Sequence, residues 1–144
     1  MNRRIMITGL GAVSGLGLNA SHFWESLTGG RTAIQPLDPP IEQTKISLGA
    51  RVPHFDPDTH FSTDELSLLD RYSQLAVIAA REAVKDAGLN CNDETIATAA
   101  TIIGSGCGGK HTDEDTYDQL YRQQRTRAHP LTIPKGMPSA AACM

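Results

Sequence analysis

The stretch Asp70-Arg71-Tyr72-Ser73-Gln74-Leu75-Ala76-Val77-Ile78-Ala79-Ala80-Arg81-Glu82-Ala83-Val84-Lys85-Asp86-Ala87-Gly88-Leu89 carries the decisive periodicity of this chain. Tyr72, Leu75, Ala76, Ala79, Ala83, Val84 and Ala87 recur at helical spacing, and Gly88 is the residue type that ends helices. Upstream, Ser62 followed by Glu65 fits a capping box, so the spacing predicts a helix entered at Ser62 and finished at Gly88. Its apolar face is made mostly of alanine. A face that small lets another backbone come close, as helices buried between sheet layers require.

Working toward the N-terminus, Ile5 to Thr8 is a short apolar run stopped by Gly9, Gly11, Gly15 and Gly17, which reads as a buried strand feeding a glycine-rich turn. Asn19 then caps a helix over about Ala20 to Thr28, whose Phe23, Trp24 and Leu27 are expected in the core, with Gly29-Gly30 closing it. Between it and the long helix lies a proline-rich excursion, about 35–61, where Pro36, Pro39, Pro40, Pro53 and Pro57 exclude a long helix. That leaves room for one hairpin involving Ile46 to Val52.

Toward the C-terminus, Ala97 to Ile103 is rich in Thr and Ile and reads as a second strand, entering Gly104-Ser105-Gly106-Cys107-Gly108-Gly109. His111 to Arg127 is polar and helical in part, with Asp118 and Arg122 at paired spacing. Pro130, Pro134 and Pro138 then interrupt the chain, and Ser139 to Met144 begins another small-residue helix. The order strand, helix, excursion, helix, strand predicts an α/β layered fold.

Composition narrows the function. The 144 residues are 40% hydrophobic and 20% charged, enough for an ordinary core, and thirteen basic against sixteen acidic side chains give a formal charge of -3. That balance argues against nucleic acid as a partner. Cys91, Cys107 and Cys143 are odd in number and widely spaced, unlike a disulfide framework, and no apolar stretch reaches signal or membrane-spanning length. A cytoplasmic protein with reduced thiols is expected.

Two glycine motifs invite a nucleotide reading, and each lacks a part. Gly9-Leu10-Gly11-Ala12-Val13-Ser14 has serine where the dinucleotide fingerprint has its third glycine, and no acidic residue follows on a second strand. Gly104 to Lys110 is most of a P-loop, but His111 replaces the magnesium-binding hydroxyl. Structural turns account better for both. His111, Asp113, Glu114 and Asp115 lack metal-site spacing and read as a solvated face, and His22, His54, His60 and His129 share no spacing with a nucleophile. Arg122, Arg125 and Arg127 form a basic patch without interleaved aromatics and beside an acidic run, which reads as a salt-bridged surface in preference to an RNA groove; if it meets any partner, an acidic protein suits it. Cys143 reads as a small buried helix residue in preference to a nucleophile.

Taken together, Ile7-Thr8-Gly9-Leu10-Gly11-Ala12-Val13-Ser14, Phe23-Trp24, Gly30-Arg31-Thr32-Ala33-Ile34, Asp70-Arg71-Tyr72-Ser73 with its alanine helix ending Asp86-Ala87-Gly88-Leu89, and Ile103-Gly104-Ser105-Gly106 resemble the β-ketoacyl-acyl-carrier-protein synthases. The resemblance runs the length of the chain, and Pro134-Lys135-Gly136-Met137-Pro138-Ser139 is similar to the synthase I branch. It implies a thiolase-like layered fold, a mixed sheet between helices in two related halves, of which residues 1–144 would be an incomplete N-terminal half. It also implies decarboxylative condensation of an acyl thioester with malonyl-carrier protein, in fatty-acid or polyketide synthesis, without a cofactor or metal.

By the same resemblance the nucleophilic cysteine would lie one loop and one strand beyond Met144, two histidines would lie in the second half, and Cys143 would be an ordinary helix residue. No catalytic residue is then expected here. The substrate-binding candidates are Gly106 and Cys107, where the family has a gating residue in its glycine loop, and Met137, where a side chain reaches the neighbouring subunit's pocket. The implied partners are an acyl carrier protein and a second synthase-like subunit, in a homodimer or heterodimer. One departure stands out. The family usually has basic residues before the long helix to meet the acidic carrier protein, whereas Asp64, Glu65, Ser67, Leu68 and Leu69 stand here. That pattern suits a non-catalytic, chain-length-factor-like subunit as the alternative.

Overall fold

The computed structural model describes residues 4–41, 44–90 and 98–143. They fall into two compact units, Met1–Phe55 with Ala79–Asn90, and Asp56–Ile78 with Cys91–Met144. The long predicted helix serves both, through different residues.

In the first unit, α1 spans Ala20–Thr28 and is capped as its sequence predicts: the Asn19 side chain accepts the His22 N–H at 2.8 Å. Gly29 and Gly30 close it, the Gly29 N–H donating to the Glu25 carbonyl at 2.9 Å and the Gly30 N–H to that of Leu27 at 3.1 Å. The proline-rich excursion holds the expected hairpin as a minimal ribbon, β1 (Gln35–Pro36) against β2 (Leu48–Gly49), antiparallel. Arg51 ties the turn by donating to the carbonyls of Asp38 and Pro39 at 2.9 and 3.3 Å.

The glycine-rich segment lies directly on the second half of the long helix. A Cβ on Gly11 would sit 1.9 Å from the Ala79 carbonyl oxygen, and one on Gly9 would sit 2.1 Å from that of Ala83. Carboxylates of the same helix hold the segment's amides. Leu10 N–H donates to Asp86 Oδ2 and Ala12 N–H to Glu82 Oε2, both at 2.9 Å, and the other Glu82 oxygen accepts the first N–H of α1, Ala20, at 2.9 Å. The alanine face therefore receives another backbone, as predicted, and that backbone is the glycine segment.

In the second unit, α2 (Thr63–Leu68) starts from the complete Ser62/Glu65 capping box. The prediction of one helix from Ser62 to Gly88 needs correcting here. Leu69 is extended at φ -103, ψ 123, and α3 begins afresh at Arg71, running to Asp86. Asp70 causes the break: its side chain accepts the Tyr72 N–H at 3.1 Å and so caps a new helix. Beyond the glycine loop, α4 (Lys110–Tyr117) continues into a π turn over Asp118–Arg122, where the predicted Asp118–Arg122 pair forms at 3.4 Å. A short α5 (Thr132–Gly136) and a 3-10 turn at Ala140–Ala142 follow. Among the described residues of this unit, Phe61, Leu69, Ala140 and Ala141 are the buried apolar side chains, and Ser73 is fully buried.

Both predicted strands are absent as strands among the described residues. Ile5 to Thr8 and residues 98–103 carry no ladder, Ile5 is 94% exposed and Ile102 is 92% exposed. The prediction at Ala97 itself lies outside the described residues. A strand exists only through a ladder with another strand, and no such ladder to these runs is formed among the described residues. Of the predicted core face of α1, Phe23 is half-buried, whereas Trp24 is 65% exposed and Leu27 exposed, and the helix buries Ser26. Apolar surface left open in this way is the usual mark of an interface. Cys143 is exposed at the end of the last turn, correcting the expectation of a buried residue; Ala140 and Ala141 take the buried places.

Candidate functional site

The three candidate residues lie on two segments of the second unit, which the structure joins by a seam. Gly109 N–H donates to the Gly136 carbonyl at 3.0 Å. Gly108, at φ +66, packs so tightly that a Cβ would meet Gly136 O at 2.4 Å, Pro138 N at 2.9 Å and Met137 C at 3.2 Å. Cys107 and Met137 thus flank the seam on its two sides, each one residue from a joined position, and both are exposed. Gly106 stands free of it, with open space where a Cβ would go.

Asp70 and Tyr72 hold the seam from beneath. Asp70 is 3% exposed, and its second oxygen accepts both the backbone N–H and the hydroxyl of Thr112, at 2.8 and 2.7 Å. Thr112 is in the first turn of α4, which has no cap of its own from Gly109. One carboxylate therefore caps α3 through Tyr72 and α4 through Thr112. The Tyr72 hydroxyl donates to the Met137 carbonyl and accepts the Ala141 N–H at 3.4 Å. Nothing in residue spacing points to these two as ties. The only sequence signal is an acid, Asp70, inside a single helical pattern.

The same geometry disposes of the P-loop reading. Four amides of the loop and the helix start are already committed: Gly108 N–H to Ser105 Oγ at 3.1 Å, Gly109 to the Gly136 carbonyl, Lys110 to the Gly108 carbonyl, and Thr112 to Asp70. A carboxylate occupies the end of α4 where an anion would bind. Lys110 turns outward to Asp113 at 2.8 Å, and that hydrogen bond, then the charge of Asp113, raises the ammonium pKa. The dinucleotide reading meets the same obstacle, since Leu10 and Ala12 donate to Asp86 and Glu82. Adding millimolar ATP or GTP is expected to leave the melting temperature unchanged; a concentration-dependent rise would mean that a phosphate site exists after all.

The arginine patch divides. Arg122, paired with Asp118, lines a cavity of about 740 Å³ along α4 with Tyr117 and Tyr121. Arg125 and Arg127 line another of about 700 Å³ with His129 and Lys135, and Asp115 as its acid. Among the described residues no cluster of three His, Cys, Asp or Glu side chains is placed to hold a metal ion. His22, His54, His60 and His129 are all exposed.

The family described as Beta-ketoacyl synthase, N-terminal domain, matches residues 2–144. This chain belongs to the β-ketoacyl synthase family. The chain is 39% identical over 143 residues to Nodulation protein E of Rhizobium leguminosarum bv. trifolii, covering 99% of this chain and 35% of the relative. It is 36% identical over 141 residues to 3-oxoacyl-(acyl-carrier-protein) synthase 2 of Staphylococcus aureus, covering 97% and 34%. The crystal structure of a β-ketoacyl synthase from Burkholderia phymatum superimposes with a TM-score of 0.76 at 25% identity, over 95% of this chain and 34% of that one. The fold is thus the α/β, thiolase-like fold of the ketosynthases, and the chain spans about a third of the length of the relatives it matches.

Proposed function

We propose that the protein carrying this chain is a β-ketoacyl-acyl-carrier-protein synthase, and that residues 1–144, an incomplete N-terminal half, shape its acyl pocket. In this reading a cysteine outside the present sequence takes the acyl group from a carrier-protein thioester, releasing the carrier thiol. Malonyl-carrier protein then loses carbon dioxide, and the resulting carbanion attacks the acyl-cysteine carbonyl. A carbon–carbon bond forms, the cysteine thiolate leaves, and β-ketoacyl-carrier protein is the product. Such chemistry needs a pocket wall set by fixed backbone more than it needs charge. The observation that carries the reading is the seam, which puts the loop bearing Gly106 and Cys107 against the segment bearing Met137.

The protein would act in the cytoplasm as a homodimer or heterodimer. No helix of the described residues is long and apolar enough to cross a membrane. An acidic carrier protein would find its counter-charge at Arg125, Arg127 and Lys135, since Asp64 and Glu65 stand before the long helix. Those two acids are also what favours the second reading, a chain-length-factor-like subunit that shapes a pocket for a catalytic partner. Both readings make Cys107 a size limit.

The test is condensation of short and long acyl thioesters with malonyl-carrier protein by the protein that carries this chain, compared with Cys107→Phe. The bulkier residue is expected to lower the long-to-short acceptance ratio by roughly tenfold or more, because lost acyl methylenes are worth about 1–3 kcal/mol each. An unchanged ratio would remove Cys107 from the pocket. Condensation seen only after a second synthase-like subunit is added would favour the non-catalytic reading.

A further inference from the structure

From the hydrogen bonds beneath the seam, and resting on the synthase reading above, we infer that Tyr72 is a positioning residue that sets acyl-chain selectivity by acting on Met137, with Asp70 holding Tyr72 and the Cys107 loop to the same frame. Three observations converge. Tyr72 is the second residue of α3, so its place is fixed by the helix start that Asp70 caps at 3.1 Å. Its hydroxyl is used in both senses, donating to Met137 O and accepting from Ala141 N, and so spans the chain on either side of Pro138. The other Asp70 oxygen binds Thr112 in the first turn of α4, directly after the glycine loop, while Gly109 is bonded to Gly136.

Met137 is the natural point of action. It is the residue that ends α5, in extended conformation at φ -64, ψ 138, and its own carbonyl is held from outside by Tyr72. Its N–H turns back to Ile133 at 3.1 Å. The backbone direction of Met137, and with it the reach of its side chain, therefore depends on a phenol supplied by α3. Without that hydroxyl the segment keeps the Gly109–Gly136 bond and the Met137 N–H bond to Ile133, but the Met137 carbonyl loses its tie to α3. Longer acyl chains are then accepted more readily.

The experiment is a double-mutant cycle of Tyr72→Phe and Met137→Ala in the protein that carries this chain, reading the long-to-short acyl acceptance ratio together with amide exchange at Ala141. Tyr72→Phe is expected to raise the ratio and to speed Ala141 exchange by about fivefold, the effect of losing one ordinary hydrogen bond. In the Met137→Ala background the ratio is expected not to respond to Tyr72→Phe, since the side chain being positioned is gone. Faster exchange with an unchanged ratio would make the tie merely architectural and overturn the inference. So would an equal change of ratio in both backgrounds, which would place the action of Tyr72 elsewhere. Wild-type protein inert toward every acyl thioester would sink the synthase reading and this inference with it; an active wild type with an unmoved ratio sinks the inference alone.

Discussion

Replacing Gly11 with alanine is expected to destabilise the protein by about 3 kcal/mol or more, although it adds a single methyl group. The new Cβ would lie 1.9 Å from the Ala79 carbonyl oxygen and 2.9 Å from both the Ala79 carbonyl carbon and the Ala83 nitrogen. A methyl cannot approach a carbonyl oxygen so closely, so the glycine segment must move off α3 by more than an ångström. That motion stretches the bonds from Leu10 to Asp86 and from Ala12 to Glu82, and loosens the hold of Glu82 on the start of α1. Urea unfolding of Gly11→Ala beside Gly104→Ala, whose Cβ meets nothing within 4 Å, isolates the effect. Gly104→Ala is expected to change stability by less than about 0.5 kcal/mol. Equal midpoints for the two variants would mean that the segment does not rest on α3.

Asp70→Ala is expected to cost about 3 kcal/mol, and Asp70→Asn about 2 kcal/mol. The alanine leaves the Tyr72 and Thr112 amides and the Thr112 hydroxyl without their acceptor at a position 3% exposed. The asparagine keeps the shape but not the chemistry. Both carboxylate oxygens face backbone N–H groups, so whichever way the amide turns, its NH2 must confront one of them. Thr112→Val removes only the hydroxyl and should cost less than either. Chemical denaturation of the three variants gives the ranking, and an Asp70→Asn protein as stable as wild type would show that the carboxylate is not a shared cap.

The parts of this fold governed by local chemistry were legible in the residues. Asn19 caps its helix, Ser62 and Glu65 build their box, and Asp118 meets Arg122, because each interaction spans five residues or fewer. The alanine face announced a close-packed backbone without saying which one. What could not be read was non-local. Ile5 to Thr8 looks like a strand because β-branched and apolar residues favour one, yet the ladder must come from elsewhere in the fold, and it is not formed among the described residues. Asp70 sits within what periodicity alone makes one helix; its carboxylate caps a new helix at Tyr72, and its second partner, Thr112, lies forty-two residues away where no spacing could point to it. The candidate site divides in the same way. Cys107 and Met137 came from resemblance, while the seam between their segments is visible only in three dimensions.

The tight approach at Gly11 also governs which sequence changes can later be repaired. Its would-be neighbours are a carbonyl oxygen, a carbonyl carbon and an amide nitrogen, atoms that every amino acid shares. No second substitution on α3 can trim them away, so a lineage that loses this glycine has only reversion as a cure. Gly49 is a contrasting case. The nearest atoms to a Cβ there belong to the Leu37 side chain, at 2.7 Å for its Cδ2. A smaller residue at 37 would open that space, so positions 37 and 49 can drift as a pair while position 11 stays locked.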